Sequence, residues 1–330
     1  MFVHGESKLY PFSPSMLLQP AFGEYLRRLV QLPKVVADIV QAAFDSHGSG
    51  WAAGIGSLAR LLPAAMFDNV PLQRYLEKIF TSEGHTDDFR KLRSLLYVVT
   101  TNLNTGALVA FGGRDHDQVP ISRALLASTA LPGLYPAVTI AGQQYVDGAL
   151  IRTMNASLAL EAGCKLVICI NPLVPFDASG PRVSKHTNLA AEGLPAVLGQ
   201  TFRALIYSRM KVGMATYGAR FPGADTLLLE PDRDDERLFF ANIFSYTGRQ
   251  RLAEHAYQRT RHDLLTQAEA LTPVLKRHGL GLNLKVLRDR NRSFPTAAIE
   301  HSERARPMTR RLNRALGRLE QLLATSATNE

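Results

Sequence analysis

The longest stretch of this chain without a charged residue runs from Ala124 to Val146, and it cannot form a single element. By count it is long enough to cross a bilayer, but Pro132 and Pro136, with Gly133 and Gly142, interrupt any helix through it. It reads instead as a helix near Ser122–Ser128, a strand at Ala137–Ile140, a turn at Gly142 and a second strand at Gln144–Val146. The surrounding chain can bury such pieces, since 46% of its 330 residues are hydrophobic and 20% are charged. That balance excludes disordered and fibrous architectures. The length suits one large domain or two, because single cores stop growing near ~250–300 residues.

The pattern on either side alternates. Residues 16–45 read as helix, with Leu17, Phe22, Leu26, Leu29, Val36 and Ile39 in a rough apolar stripe broken at Pro33 and ended by His47–Gly50. A second helix is expected from Pro71 to Phe80, where Asp68 or Asn69 caps and Leu72, Tyr75, Leu76 and Ile79 share a face. After a polar loop at Glu83–Asp88, the β-branched run Ser94–Thr101 suits a strand buried on both faces, and Asn102–Gly106 turns it toward Ala107–Phe111. A helix at Ala156–Ala162 with a Gly163 stop, strands at Lys165–Ile170 and Thr226–Glu230, and a long helix at Gly248–Ala270 complete the pattern. Strands alternating with helices imply an α/β fold, a layered and mostly parallel sheet flanked by helices.

The formal net charge of +9 is local. Residues 276–318 hold twelve Lys and Arg against Asp289, Glu300 and Glu303, which accounts for all of it; the remainder balances at 26 basic and 26 acidic. Within this tail Met308, Leu312, Ala315, Leu316, Leu319 and Leu323 recur at helical spacing, with Arg310, Arg311, Arg314 and Arg318 between them. Such a basic amphipathic helix either packs its leucines on its own domain or lies on anionic lipid as a peripheral membrane contact. No aromatic platform interleaves the arginines, which argues against nucleic acid. Two cysteines, Cys164 and Cys169, cannot make a disulfide framework, so a reducing, cytoplasmic setting is expected. Met1–Lys8 lacks a basic region followed by an apolar one, and no secretory leader is expected.

The chemistry concentrates at Asp147. It ends a strand and is followed by Gly148, which exposes a carboxylate beside backbone that a partner can approach closely. Asp-Gly alone is a common turn dipeptide. Its context is not common: Ala127, Ser128, Ala130, Pro132, Tyr135 and Pro136 precede Asp147, Gly148 and Ala149. This order resembles the patatin-like phospholipases, whose A-S-x-A-x-P-x-x-[FY]-P stretch precedes a D-G-[GA] motif. The strands around Thr100–Phe111 and Val167–Pro172 look like the same family, over roughly residues 65–175 and plausibly through about 275.

The resemblance implies a catalytic dyad in which a serine in a G-x-S-x-G turn attacks a lipid acyl ester and Asp147 acts as its base. It also implies a glycine-rich G-G-G-x-[RK]-G oxyanion segment, with neither metal nor cofactor. Both amino-terminal motifs are absent. Only Ser7 has glycine two positions before it, and Gly5-Glu-Ser-Lys-Leu9 lacks the second glycine and a preceding strand. Gly54-Ile-Gly-Ser-Leu58 places isoleucine two before Ser57, and Gly112-Gly-Arg114 reads as a hairpin loop rather than an oxyanion segment. The strands that carry these motifs are therefore expected upstream, about 60–100 residues judged from ordinary α/β units. The expected organisation is residues 1–160 as the C-terminal portion of a patatin-like domain, 161–275 as the rest of the same α/β body, and 276–330 as a basic, partly helical or disordered tail. Two functions follow: a lipid acyl ester hydrolase acting on phospholipid or another fatty-acyl ester, with its nucleophile absent here, or a catalytically inactive lipid-associating remnant.

Weaker constellations read as structural. His255 and His262 stand seven apart on a helix, a poor spacing for a metal pair. Cys169 is expected as a small buried hydrophobe, and Pro231–Glu236 as a solvated loop with a helix cap.

Overall fold

The computed structural model describes residues 65–151, 154–183, 188–240, 246–295 and 297, with 19–23, 30, 33 and 37 before them. Ser7, most of the 16–45 stretch, His47–Gly50, Gly54–Leu58 and the tail from 298 on lie outside the described residues. The chain divides into two compact units, Met1–Pro175 with Asn188–Leu228 and Phe176–Thr187 with Leu229–Glu330.

In the first unit, helix α1 (Val70–Phe80) carries Pro71 in its first turn, where the missing N–H costs nothing. The Asp68 carboxylate accepts from the Val70 amide at 3.0 Å, and Leu72, Tyr75 and Ile79 are buried on one face. Strands β1 (Val98–Asn102) and β2 (Leu108–Phe111) form a hairpin, Val98 opposite Phe111. The turn is local chemistry: Asn102 Oδ1 accepts from the Asn104 and Thr105 amides at 2.9 and 3.2 Å. Helix α2 (Ile121–Ser128) then leads to β3 (Val138–Ile140) and β4 (Gln143–Asp147), joined by Ala141 and Gly142, both at positive φ. That pair of left-handed residues is what a tight hairpin demands. The four strands lie in the order β2-β1-β4-β3, every neighbour antiparallel; α2 packs on β1, and its Ala124 and Ala127 are fully buried.

A second, two-stranded sheet joins β5 (Leu166–Ile170) to β6 (Asp225–Leu229) in parallel. Helix α3 (Ala156–Glu161) precedes β5, and the long helix α4 (Leu194–Arg220) lies on the crossover between the two strands. Ala156, Leu160, Cys169 and Tyr217 make their common core. The architecture is thus mixed α/β as expected, but the parallel sheet is seen only in part. Connections of hairpin length can join only antiparallel neighbours, and they govern the larger sheet.

Two tertiary hydrogen bonds to one carboxylate fix the start of α2. Asp87 accepts from the Ser122 amide at 2.6 Å and from its hydroxyl at 2.7 Å, capping the helix from 35 positions earlier in the chain. Asp87→Ala strands both donors, so it should cost about 1–3 kcal/mol. Ser122→Ala keeps the amide bond and should cost less; urea midpoints of the two variants and their combination check this.

The second unit contains α5 (Glu236–Phe239), α6 (Tyr246–Thr266), α7 (Ala268–Arg277) and α8 (Leu284–Arg288). The single helix expected at 248–270 is two helices that meet at Gln267. Asp235 caps α5 through the Leu238 amide at 3.2 Å, as expected, but the acidic run is solvated only in part. Asp234 and Asp235 are buried, because Arg182 pairs with Asp232 and Asp234, Arg259 with Asp232, and His255 Nε2 with Asp235 at 2.6 Å. His255 is therefore a partner of Asp235. Buried Arg261 donates to the Val286 and Leu287 carbonyls at 2.8 and 3.1 Å, closing the C-terminal end of α8.

Candidate active site

The site is built by close packing of small residues. Ala124, Ala127 and Ala130 are at most 1% exposed, which lets the α2 segment approach β1 closely. At the end of α2 the Ser128 hydroxyl donates to the Val99 carbonyl at 2.9 Å. Two residues on, the Ala130 carbonyl accepts from the Asp147 amide at 3.1 Å, while the Thr101 hydroxyl donates to the Asp147 carbonyl at 3.1 Å. Asp147, opposite Thr100 in the ladder, is thus held on both sides by its backbone.

Gly148 and Ala149 set the carboxylate. Gly148 is buried against β1: a Cβ there would sit 2.6 Å from the Val99 carbonyl oxygen and 2.8 Å from its carbon. Only glycine allows the chain to turn at this point into the short 3-10 helix Gly148–Leu150. The Ala149 amide donates to Asp147 Oδ1 at 2.8 Å, the N-cap of that turn. Burial raises the Asp147 carboxyl above the usual carboxylate range, and the Ala149 bond opposes it more weakly. No basic side chain pairs with it among the described residues. A half-buried carboxylate of raised basicity, oriented by one amide and with no cationic partner among the described residues, is suited to accept a proton.

Residues 26–160 match the family model of patatin-like phospholipases. This segment is patatin-like. The match begins earlier than the motifs alone suggest and ends in α3, so the patatin-like segment includes the whole four-stranded sheet, α2 and the Asp147 turn. It supports a lipid-hydrolase function in general. No curated protein matches the chain.

The structure brings Asp147, Gly148 and Ala149 together with Ser128 and Ala130 around Val99. It does not bring a serine to the acid: among the described residues no hydroxyl donates to the Asp147 carboxylate, and Ser128 is bonded to Val99. Gly112–Arg114 lies in a turn after β2, where Gly112 has φ +92° and its amide donates to the His116 carbonyl at 3.2 Å. Thr101 is the positioning residue that sequence reasoning missed. Its signal, a hydroxyl in an apolar strand, gains meaning only from the long-range register with β4. No group of acidic, His and Cys side chains among the described residues has a metal-binding arrangement.

Proposed function

We propose that the patatin-like segment is part of a lipid acyl ester hydrolase of the Ser-Asp dyad type, cleaving phospholipid or another fatty-acyl ester, with Asp147 as the base. In this reading Asp147 takes the proton of a serine hydroxyl whose oxygen attacks the acyl carbonyl, then returns that proton to the departing alcohol. Water repeats the sequence on the acyl-serine, with Asp147 again the proton acceptor. In such a dyad the serine stands in a G-x-S-x-G turn, a motif these 330 residues do not contain. Gly148 and Ala149 hold the acid in place.

The single observation that carries this reading is the Asp147 carboxylate itself: raised by burial, bonded to one amide, and placed where β4 turns. The protein made from its own gene should be labelled by a fluorophosphonate probe and should hydrolyse p-nitrophenyl acyl esters. Absence of both would favour the second reading, an inactive lipid-associating remnant, which predicts that G-x-S-x-G is missing, as it is in this sequence. The basic tail is proposed as a peripheral contact with anionic lipid. Deleting residues 300–330 should then weaken binding to anionic vesicles more at low salt than at high. No helix among the described residues is long and apolar enough to cross a membrane.

A further inference from the structure

We propose that Leu194–Val212 of α4 is an interfacial segment that lays its apolar stripe onto an anionic lipid bilayer. Leu194, Leu198, Phe202, Leu205 and Val212 follow one another at steps of four, four, three and seven, so they lie along one side of the helix. They are 69, 49, 48, 58 and 68% exposed, an unusual state for large apolar side chains aligned over about 27 Å of helix. The opposite side of the same helix is anchored at its carboxyl end, where Met210 and Tyr217 are buried and the Tyr217 hydroxyl donates to the Met154 carbonyl at 3.1 Å. From Leu194 to Arg209 no described side chain is buried.

Charge selects the occupant. Leu194–Arg220 contains Arg203, Arg209, Lys211 and Arg220 and neither Asp nor Glu. Arg220 pairs with Glu161 at 2.7 Å, and the Lys211 ammonium lies over the Tyr207 ring, 5.1 Å from its centroid. Two copies paired through this face would bring one wholly basic helix against another, whereas a bilayer bearing anionic head groups complements both the charge and the apolar stripe. Past Val212 the helix borders a half-open cavity of about 250 Å3 that Ile151, Met154, Met210 and Tyr217 line with apolar surface, with Arg209 and Arg220 also on its wall. Ile151 closes the 3-10 turn that begins at Asp147. Val212 is the one stripe residue on that wall, and Met210 and Tyr217 line the cavity from the buried side of the helix.

The inference goes beyond the hydrolase reading, because adsorption is measured without turnover. In the full chain, Phe202→Trp gives a reporter whose emission is read after subtracting that of the unaltered protein, which carries one tryptophan. With phosphatidylcholine vesicles containing a quarter phosphatidylglycerol, the reporter should shift to the blue and be quenched by brominated acyl chains. The triple variant Leu198→Ser, Phe202→Ser, Leu205→Ser should bind these vesicles about 10- to 100-fold more weakly. Arg209→Glu with Lys211→Glu should weaken binding by about fivefold or more per residue at low salt, with little effect at high salt. Vesicle binding by the Phe202→Trp variant without quenching of its reporter would assign adsorption to another segment and overturn the proposal. So would a dimer in solution that the triple variant dissociates, since the stripe would then be covered by a second copy. Turnover of a soluble ester by the same variants reports on Asp147 separately, so either reading can fail alone.

Discussion

Asp147→Asn should abolish ester hydrolysis, by about 10^3- to 10^4-fold, while leaving the protein as stable at neutral pH as the parent or more so. The two halves of this result have one cause. Burial disfavours the charged carboxylate, and no basic group among the described residues compensates, so the ionised form the reaction needs is the form the fold resists. Asparagine keeps an oxygen for the Ala149 amide and carries no charge to desolvate, but cannot accept a proton from an alcohol. The pH dependence follows in sign. A carboxyl raised in the folded state contributes stability that is fully present below its unfolded pKa of about 3.9 and is lost as pH rises through the folded value. The stability of the asparagine variant relative to the parent should therefore increase from acid toward neutral pH, as read by urea unfolding at both. For the same reason the acid limb of kcat/KM in the active protein should lie above that of an ordinary carboxyl group. A variant that keeps its turnover, or that is markedly less stable at pH 7, would sink the assignment of Asp147 as a base.

What the sequence disclosed was local. Asn102 announces its own turn because its side chain bonds amides two and three residues on, and Ala141-Gly142 sits where the β3–β4 hairpin must close. Asp147 stood out because a strand, an acid and a glycine are adjacent in the chain. The helix α4 was not legible, since Pro195, Gly199, Gly213 and Gly218 dilute its propensity, and apolar residues on its exposed side are matched by buried Met210 and Tyr217 on the opposite one, which blurs the helical period. The burial of Asp234 and Asp235 was equally hidden: their partners Arg182 and His255 are distant in sequence, so the run looked like solvated charge. Strand direction was legible only in part: alternating elements give the parallel β5–β6 pair, whereas short turns make the larger sheet antiparallel. At the site itself, the acid and its glycine were visible, whereas Thr101, Ser128 and the Ala130 carbonyl acquire their roles only through packing across β1.

Gly148→Ala should unfold the site from the backbone outward, with a cost of about 3 kcal/mol and loss of hydrolysis although the carboxylate is untouched. The added Cβ meets the Val99 carbonyl oxygen at 2.6 Å, its carbon at 2.8 Å and a Val99 methyl at 3.0 Å. The first two are backbone atoms of β1, which pairs with both β2 and β4, and they cannot rotate away as the tip of a flexible side chain would. The strain has to be relieved by moving the Asp147 turn off β1, which breaks the Thr101 hydroxyl bond to the Asp147 carbonyl and the Asp147 amide bond to Ala130. Gly163→Ala is the matching control: Gly163 has φ +92° and nothing within 4 Å, so alanine there meets backbone strain alone, about 1–2 kcal/mol, far from the acid in sequence. The contrast between the variants separates the causes. Gly148→Ala should lose activity in excess of its stability loss, Gly163→Ala should lose stability and keep activity per folded molecule, and Asp147→Asn should do the reverse. Equal activity per folded molecule for Gly148→Ala and Gly163→Ala would mean that the approach of this turn to β1 has no part in placing the acid.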